Sequence, residues 1–438
     1  MHHVSSTFSR GVPLGIAASL ALSAAPAAGT SDPASRPDVA ALRDRGPAGL
    51  EALLARYDHA APAERDALAA DIDAVAGQRY ATVSRLYWYT ELDRAEAAAR
   101  HLHRPILALR MLGDLREDLS CANSRLFRAT LYADTEVSAF LRAHFVLYWS
   151  TERAVPTVTI DYGDGRKLVR TTTGNSAHYV LDDSGHVLDV LPGLYAPAVF
   201  RRELAASLAL ADRVRGMSDA KRVHATIAYH AAARDATGRA WDSARSATYT
   251  RGSRFLIGAD QRADLLEQAQ RRAMAKAVIE VPDLKRIGAL RPDQVPSDDA
   301  AWSAIGQLMW NIADPAPQAR PRGARPARPG PMVLDVTSRA LVARLHNAGP
   351  ADQRATPDQL ADVIARLEQH IVADTAQNQF VLRQQIRQRI IERGETDFTA
   401  LNAWIYSSVF ATPRSDPWLG LLPRTEFTGL PGDGVVMP

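Results

Sequence analysis

The period of the apolar residues changes several times along the chain, and each change marks a different kind of element. From Ala48 to Leu86, Leu50, Leu53 and Leu54, then Leu68, Ile72 and Val75, recur three and four residues apart, as on one buried face of a helix. This predicts a helical N-terminal lobe over residues 38–89. Before it, Ser31–Pro47 is rich in proline, serine, aspartate and arginine and reads as an exposed leader. Thr90-Glu-Leu-Asp93 opens a helix to about Leu102, since a threonine hydroxyl can accept from first-turn N–H groups and carboxylates favour that end. The period then gives way to a continuous apolar run, Pro105-Ile-Leu-Ala-Leu-Arg-Met-Leu112, and later to a second, Phe145-Val-Leu-Tyr-Trp149. Both read as strands. Between them come a loop, Gly113–Ser120, and a helix starting at Cys121 with Leu126, Phe127 and Leu131 on its buried face. A shorter helix follows, capped by Asp134 and carrying Val137, Phe140 and Leu141. A helical crossover makes the two strands parallel.

Alternation of period two takes over next. Pro156–Tyr162 and Arg166–Thr172 flank Gly163-Asp-Gly165 and predict a β-hairpin. Tyr179–Leu181 and Val187–Val190 flank Asp182-Asp-Ser-Gly185 and predict another. Pro192-Gly193 breaks the chain before a helix from Pro197 to about Val214. Helical patterning in Ala220–Ala244, Ala259–Ile279 and Ala300–Met309 defines a region over 214–313. Residues 314–331 hold six prolines and read as a Pro/Arg-rich linker or loop. A helical C-terminal region, 332–438, contains the cap pair Thr356-Pro357, a stripe of Leu360, Val363, Ile364, Leu367 and Ile371, a stop at Gly394 and a last helix from Asn402 to Phe410. Asp416–Pro423 is expected to pack back on the body.

At 438 residues, 46% hydrophobic and 23% charged, the chain has the makings of two or three globular domains rather than of a disordered polymer. The net charge of +3 is carried almost wholly by arginine, with no basic run interleaved with aromatics, which argues against nucleic-acid binding. Arg10, the small apolar stretch Val12–Leu22 and Ala25-Pro26-Ala27 predict a signal peptide over 1–27, and with it a periplasmic or secreted protein. That stretch is too short for a stable membrane span. There is no CxxCH, paired-cysteine, Gly-x-Gly-x-x-Gly, Walker, His-Glu-x-x-His or Gly-x-Ser-x-Gly pattern, so neither metal nor cofactor is predicted. His59, His101, His103, His224 and His230 stand at spacings that assemble no site.

One residue carries the candidate chemistry. Cys121 is the single cysteine of a chain expected in an oxidising compartment, so it is either a buried small hydrophobe or a free thiol. The order strand, thiol at a helix start, helix, strand, β-hairpin and trailing helix resembles the thioredoxin-like superfamily, over roughly a quarter of the chain. Phe127, Tyr132-Ala-Asp134, Val137, Phe140-Leu141 and Phe145-Val146 are spaced like the segment that follows the active-site cysteines there. The resemblance implies an α/β fold with a thioredoxin-like domain over 90–213, and Tyr179–Leu181 antiparallel to the first two strands. It implies Cys121 as nucleophile and Ser124 in the second-cysteine position of a monothiol C-x-x-S motif. Asn123, Arg125, Asn175 and Ser176 would line the approach, and the partner would be a protein or small-thiol redox partner. A helix start and the guanidinium of Arg116 or Arg125 favour a thiolate, whereas Glu117 and Asp118 oppose it. The chain departs from the family in having Leu119-Ser120 for the aromatic before the thiol, and Ser176-Ala177 where a cis-proline faces it. Two expectations follow: thiol–disulfide exchange through Cys121, or a redox-silent structural or partner-binding module in which the thiol is buried.

Overall fold

The computed structural model describes residues 38–250, 265–270, 302–303, 305–307, 333–419, 430–431 and 435. The expected signal peptide and the Pro/Arg-rich linker lie outside these residues, as do most of Ala259–Ile279 and Ala300–Met309. The chain divides into Met1–Asp38, of which only Asp38 is described, and Val39–Pro438, whose architecture follows.

The N-terminal lobe is built from α1 (Val39–Asp44), α2 (Pro47–His59), α3 (Pro62–Ala76) and α4 (Ala81–Ser84). Leu50, Leu53, Leu54, Leu68, Ile72 and Val75 form its own core, as their spacing predicted. The expected exposed leader is corrected at its C-terminal end. Arg43 anchors α1 by donating to the carbonyls of Val75 (2.8 Å) and Trp88 (3.0 Å), and Pro47 sits in the first turn of α2. The next helix, α5 (Leu92–Leu102), has Glu91 at its cap position, and no side chain caps it. Thr90 is not the cap, because its hydroxyl accepts from Arg43 (3.2 Å) and donates to Glu91 (3.1 Å).

Then come β1 (Ile106–Leu112), α6 (Ala122–Leu126) running into a π-helical turn at Phe127–Leu131, α7 (Thr135–His144) and β2 (Val146–Arg153). Asp134 caps α7 as expected, accepting from the Val137 N–H at 2.8 Å. Strands β3 (Thr157–Asp161) and β4 (Lys167–Thr171) form a separate ribbon; β5 (Ala177–Leu181) and β6 (Val187–Pro192) return to the main sheet, whose order is β2-β1-β5-β6. β1 and β2 are parallel, with Ile106 beside Val146 and Leu109 beside Trp149. β5 is antiparallel to β1, with Ala108 opposite Tyr179, and β6 is antiparallel to β5. The strands are buried on both faces, which is why their sequences read as unbroken apolar runs rather than alternations. The architecture is therefore mixed α/β, a small mixed sheet among helices.

After β6 come α8 (Pro197–Val214), α9 (Asp219–Thr250), α10 (Val336–His346), α11 (Pro357–Gln377), α12 (Arg383–Arg393) and α13 (Phe398–Trp404). Thr356 and Gln359 make a reciprocal capping box at the start of α11, and Gly394 ends α12 in the left-handed conformation. These C-terminal helices share one apolar core with the sheet: Ile371, Leu382, Ile386, Leu401, Ile405 and Phe410 pack in the same cluster as Leu107, Tyr179 and Phe200. Gly193 makes part of this docking feasible. Its φ is +72°, and a Cβ there would come within 2.5 Å of Asn378, whose amide donates to the Leu194 carbonyl. Both η nitrogens of Arg153 donate to the Asp416 carbonyl at 2.8 Å, and Leu419 is buried, so the described start of the tail does pack back.

Candidate functional site around Cys121

The loop after β1 returns to the sheet at Cys121, whose N–H donates to the Leu112 carbonyl; the next N–H, of Ala122, donates to Thr173. Those two bonds fix the thiol between the end of β1 and the segment leading into β5. The sulfur donates to Ser124 Oγ at 3.4 Å and lies 3.1 Å from Ser176 Oγ. Ser124 in turn bonds Ser120 Oγ (2.7 Å) and the Cys121 carbonyl (2.8 Å). Cys121, Ser124 and Ser176 thus form one chain of hydroxyls and thiol, and Ser176 faces the sulfur from just before β5. All of them are fully buried.

Asn175 is brought to the same place but turned outward to the C-terminal region: its amide donates to Thr412 Oγ1 (2.9 Å), and its carbonyl accepts from Tyr406 (3.3 Å). Asn123 is buried one residue beyond Ala122, and Arg125, half-buried, sits on the following turn. Arg116 is drawn away from the thiol. It pairs with Asp114 and lies over the Trp149 ring. The buried cation of this region is Arg128, which sequence reasoning missed. It donates to the Leu115 and Glu117 carbonyls (2.6 Å each) and to Ser120 Oγ (3.2 Å), and burial pushes its pKa down. No local signal marked it, because Ser124 and Arg125 share its helical face and make it read as a polar stripe.

The site's cover comes from far along the chain. α13 runs into a second π-helical turn, Ile405–Val409, from which buried Tyr406, with Thr412 just beyond, bonds Asn175, while Phe410 packs edge-on against the Tyr406 ring. Glu152, at the end of β2, ties this cover to the sheet by accepting from Arg110 (2.6 Å), Asn402 (2.9 Å) and Arg414. Burial would raise the Glu152 carboxyl, but these donors outweigh it and hold its pKa below the ordinary value. Two residues after Ser176, on β5, His178 bonds the Tyr132 hydroxyl at 2.7 Å among Phe127 and Phe200, and burial drives its pKa down to about 3.

A second polar cluster, also missed, joins β6 to the helices. Asp189 accepts from Ser207 (2.7 Å), Tyr229 (2.8 Å) and Arg383 (2.7 Å), and Arg383 donates to Glu203 (2.7 Å). Asp189 and Arg383 are wholly buried. Burial opposes both charges, yet Arg383 holds the Asp189 carboxyl well below the usual range, and Asp189 with Glu203 raises Arg383. His230 of α9 bonds the Leu188 carbonyl at 3.0 Å, with its pKa lowered by burial to about 4. His224 is exposed, as are His59, His101 and His103.

Among the described residues no group of histidine, cysteine and carboxylate side chains is placed to hold a metal, and no helix is long and apolar enough to cross a membrane. Comparison with protein-family models, curated proteins and solved structures finds no match to this chain.

Proposed function

We propose that the chain is a thioredoxin-like protein of the cell envelope whose Cys121 is redox-silent, a structural or partner-binding module rather than an oxidoreductase. Support for the fold comes from the strand order β2-β1-β5-β6, extended on the β2 side by the parallel bridge between Tyr89 and Tyr148, with the thiol at the first helix start after β1 and α8 after the hairpin. The single observation that carries the silent reading is the complete burial of Cys121, next to a segment to which the C-terminal turn is bonded through Asn175. Leu401, Ile405, Tyr406, Val409 and Phe410 are each at most 2% exposed. Lifting them into water would cost roughly 1.5–3 kcal/mol apiece, about 10 kcal/mol together. That is the size of a whole domain's stability, so detaching the turn that bonds Asn175, the neighbour of Ser176, is nearly as costly as unfolding.

The monothiol-exchange reading draws on the two serine hydroxyls at the sulfur, which are placed to hydrogen-bond a thiolate. It requires a disulfide to reach that sulfur. Maleimide labelling of the native chain along a urea series separates the two readings. In the silent module the labelling rate tracks global unfolding, with the same denaturant slope. Rapid labelling without urea, or a mixed disulfide trapped from an envelope extract, would overturn it.

A further inference from the structure

The β3–β4 ribbon stands apart from the main sheet, and among the described residues no other strand pairs with either of its edges. A two-stranded ribbon is marginal in water on its own. Its bonding pattern says which groups face outward. The N–H of Tyr162 donates to Arg166 and that of Thr172 to Pro156, so Pro156, Val158, Ile160 and Tyr162 point their backbone groups inward to β4. Thr157, Thr159 and Asp161 point theirs outward. The two edges differ in protection. β4 carries Lys167 and Arg170, charges of the kind that discourage edge pairing, whereas β3 has neither lysine, proline nor bulge. On one face the ribbon presents Val158, Ile160, Leu168 and Tyr162, with Val158 44% and Tyr162 58% exposed, and Arg166 and Arg170 flank them on the β4 side.

We infer that β3 is a self-association edge, and that its occupant is β3 of a second copy of this chain, antiparallel about a two-fold axis at Thr159. A second copy is complementary to this edge. In that register Thr159 exchanges both backbone bonds with its counterpart, and Thr157 meets Asp161, a hydroxyl beside a carboxylate. Val158 meets Ile160, and no like charges are opposed. The paired ribbons form one four-stranded sheet on which Val158, Ile160 and Leu168 of both copies make a central apolar strip, with Arg166 and Arg170 of each copy at its outer margins, away from the seam. β4 paired with itself would instead gather its cations at one seam. The interface is small, which places the dissociation constant in the weak, micromolar-or-above class. The inference does not depend on the state of Cys121.

Sedimentation velocity of the full chain over a concentration series tests it. The expected result is a reversible dimer whose dissociation constant rises at least about tenfold in Thr159→Pro, which removes the central donor, with an unchanged thermal melt. As a second measurement, Thr159→Cys should give a disulfide-linked dimer on mild oxidation, since directly opposed residues lie about 5.5 Å apart, within disulfide reach. Lys167→Cys, on the protected edge, should not. A monomer up to about 0.5 mM, association indifferent to Thr159→Pro, or a monomer whose ribbon binds an extended segment of another protein overturns it.

Discussion

Two buried polar clusters lie where the sheet meets the C-terminal helices, and they are built from opposite materials. Around Cys121 the groups that bond the sulfur are hydroxyls, which can be hidden with the thiol at modest cost because each finds a hydrogen-bond partner, and the one buried charge at the margin, Arg128, donates only to Ser120 and two backbone carbonyls. Around Asp189 the groups are full charges, and hiding them demands near-complete pairing. The neutral cluster sits where a sequence motif draws attention, whereas the charged one sits behind an ordinary-looking strand. The difference teaches that the residue with recognisable chemistry need not be the one on which the structure depends. Here the charged cluster joins β6, α8, α9 and α12, while the thiol cluster joins only the start of α6 to the segments on either side of it and before β5.

The largest effect expected from this contrast comes from Arg383. Replacing it with methionine strands Asp189 and weakens Glu203 in the interior, and should cost about 3–5 kcal/mol in urea unfolding. Combined with Asp189→Asn, the arginine replacement should cost distinctly less than it does alone, because the charge it abandons is gone. Strictly additive costs would break the claim that the two act as a pair.

Acid should come next. His178 and His230 are held neutral, with folded-state values of about 3 and about 4 against an ordinary 6.5. As pH falls below 6.5 the unfolded chain takes up protons that the folded one refuses, so their stabilisation is complete above that value and lost progressively towards pH 4. Asp134 acts in the opposite sense. Burial raises it to about 6, so the folded state takes its proton first and recovers some stability over the same interval. The histidines are the more deeply buried and should prevail, each removing on the order of 2 kcal/mol between pH 7 and 4.5. Urea midpoints at the two pH values measure this, and His178→Phe should flatten the profile. A midpoint indifferent to pH would mean that the histidines are hydrated.

Much of the fold was legible because it is local or periodic. The unbroken apolar runs of β1 and β2, the Gly-Asp-Gly turn, Asp134 as a cap and the Thr356-Pro357 start all express backbone rules that act within a few residues. Thr90 failed as a cap for a non-local reason, since Arg43, nearly fifty residues earlier, takes its hydroxyl. The same distinction runs through the site. The meeting of Cys121 with Ser124 follows from three-residue spacing on one helix start, and that with Ser176 from the resemblance of the segment before β5. The cover of Tyr406 and Thr412 depends on where a helix over 280 residues away docks, and nothing in the local pattern at Cys121 announces it. Asp189 was hidden in the same way, since its partners come from three different helices.

The smallest expected effect is also the one that reads the thiol cluster most directly. Ser176→Ala removes one hydroxyl from the sulfur and leaves the other, Ser124, in place. A neutral hydrogen bond of this kind is worth about 1 kcal/mol, and the methyl group of alanine fits where the serine Cβ already lies. The urea midpoint should therefore fall slightly, and maleimide labelling of Cys121 should quicken only by the factor that this lost stability dictates, about fivefold at a given urea concentration. The companion change Tyr406→Ala removes a buried ring and should cost several times as much, about 3–5 kcal/mol, again with labelling locked to global unfolding. If Ser176→Ala instead accelerated labelling far beyond its effect on stability, the thiol would be gated locally by the hydroxyl chain. The two clusters would then differ in mobility as well as in charge.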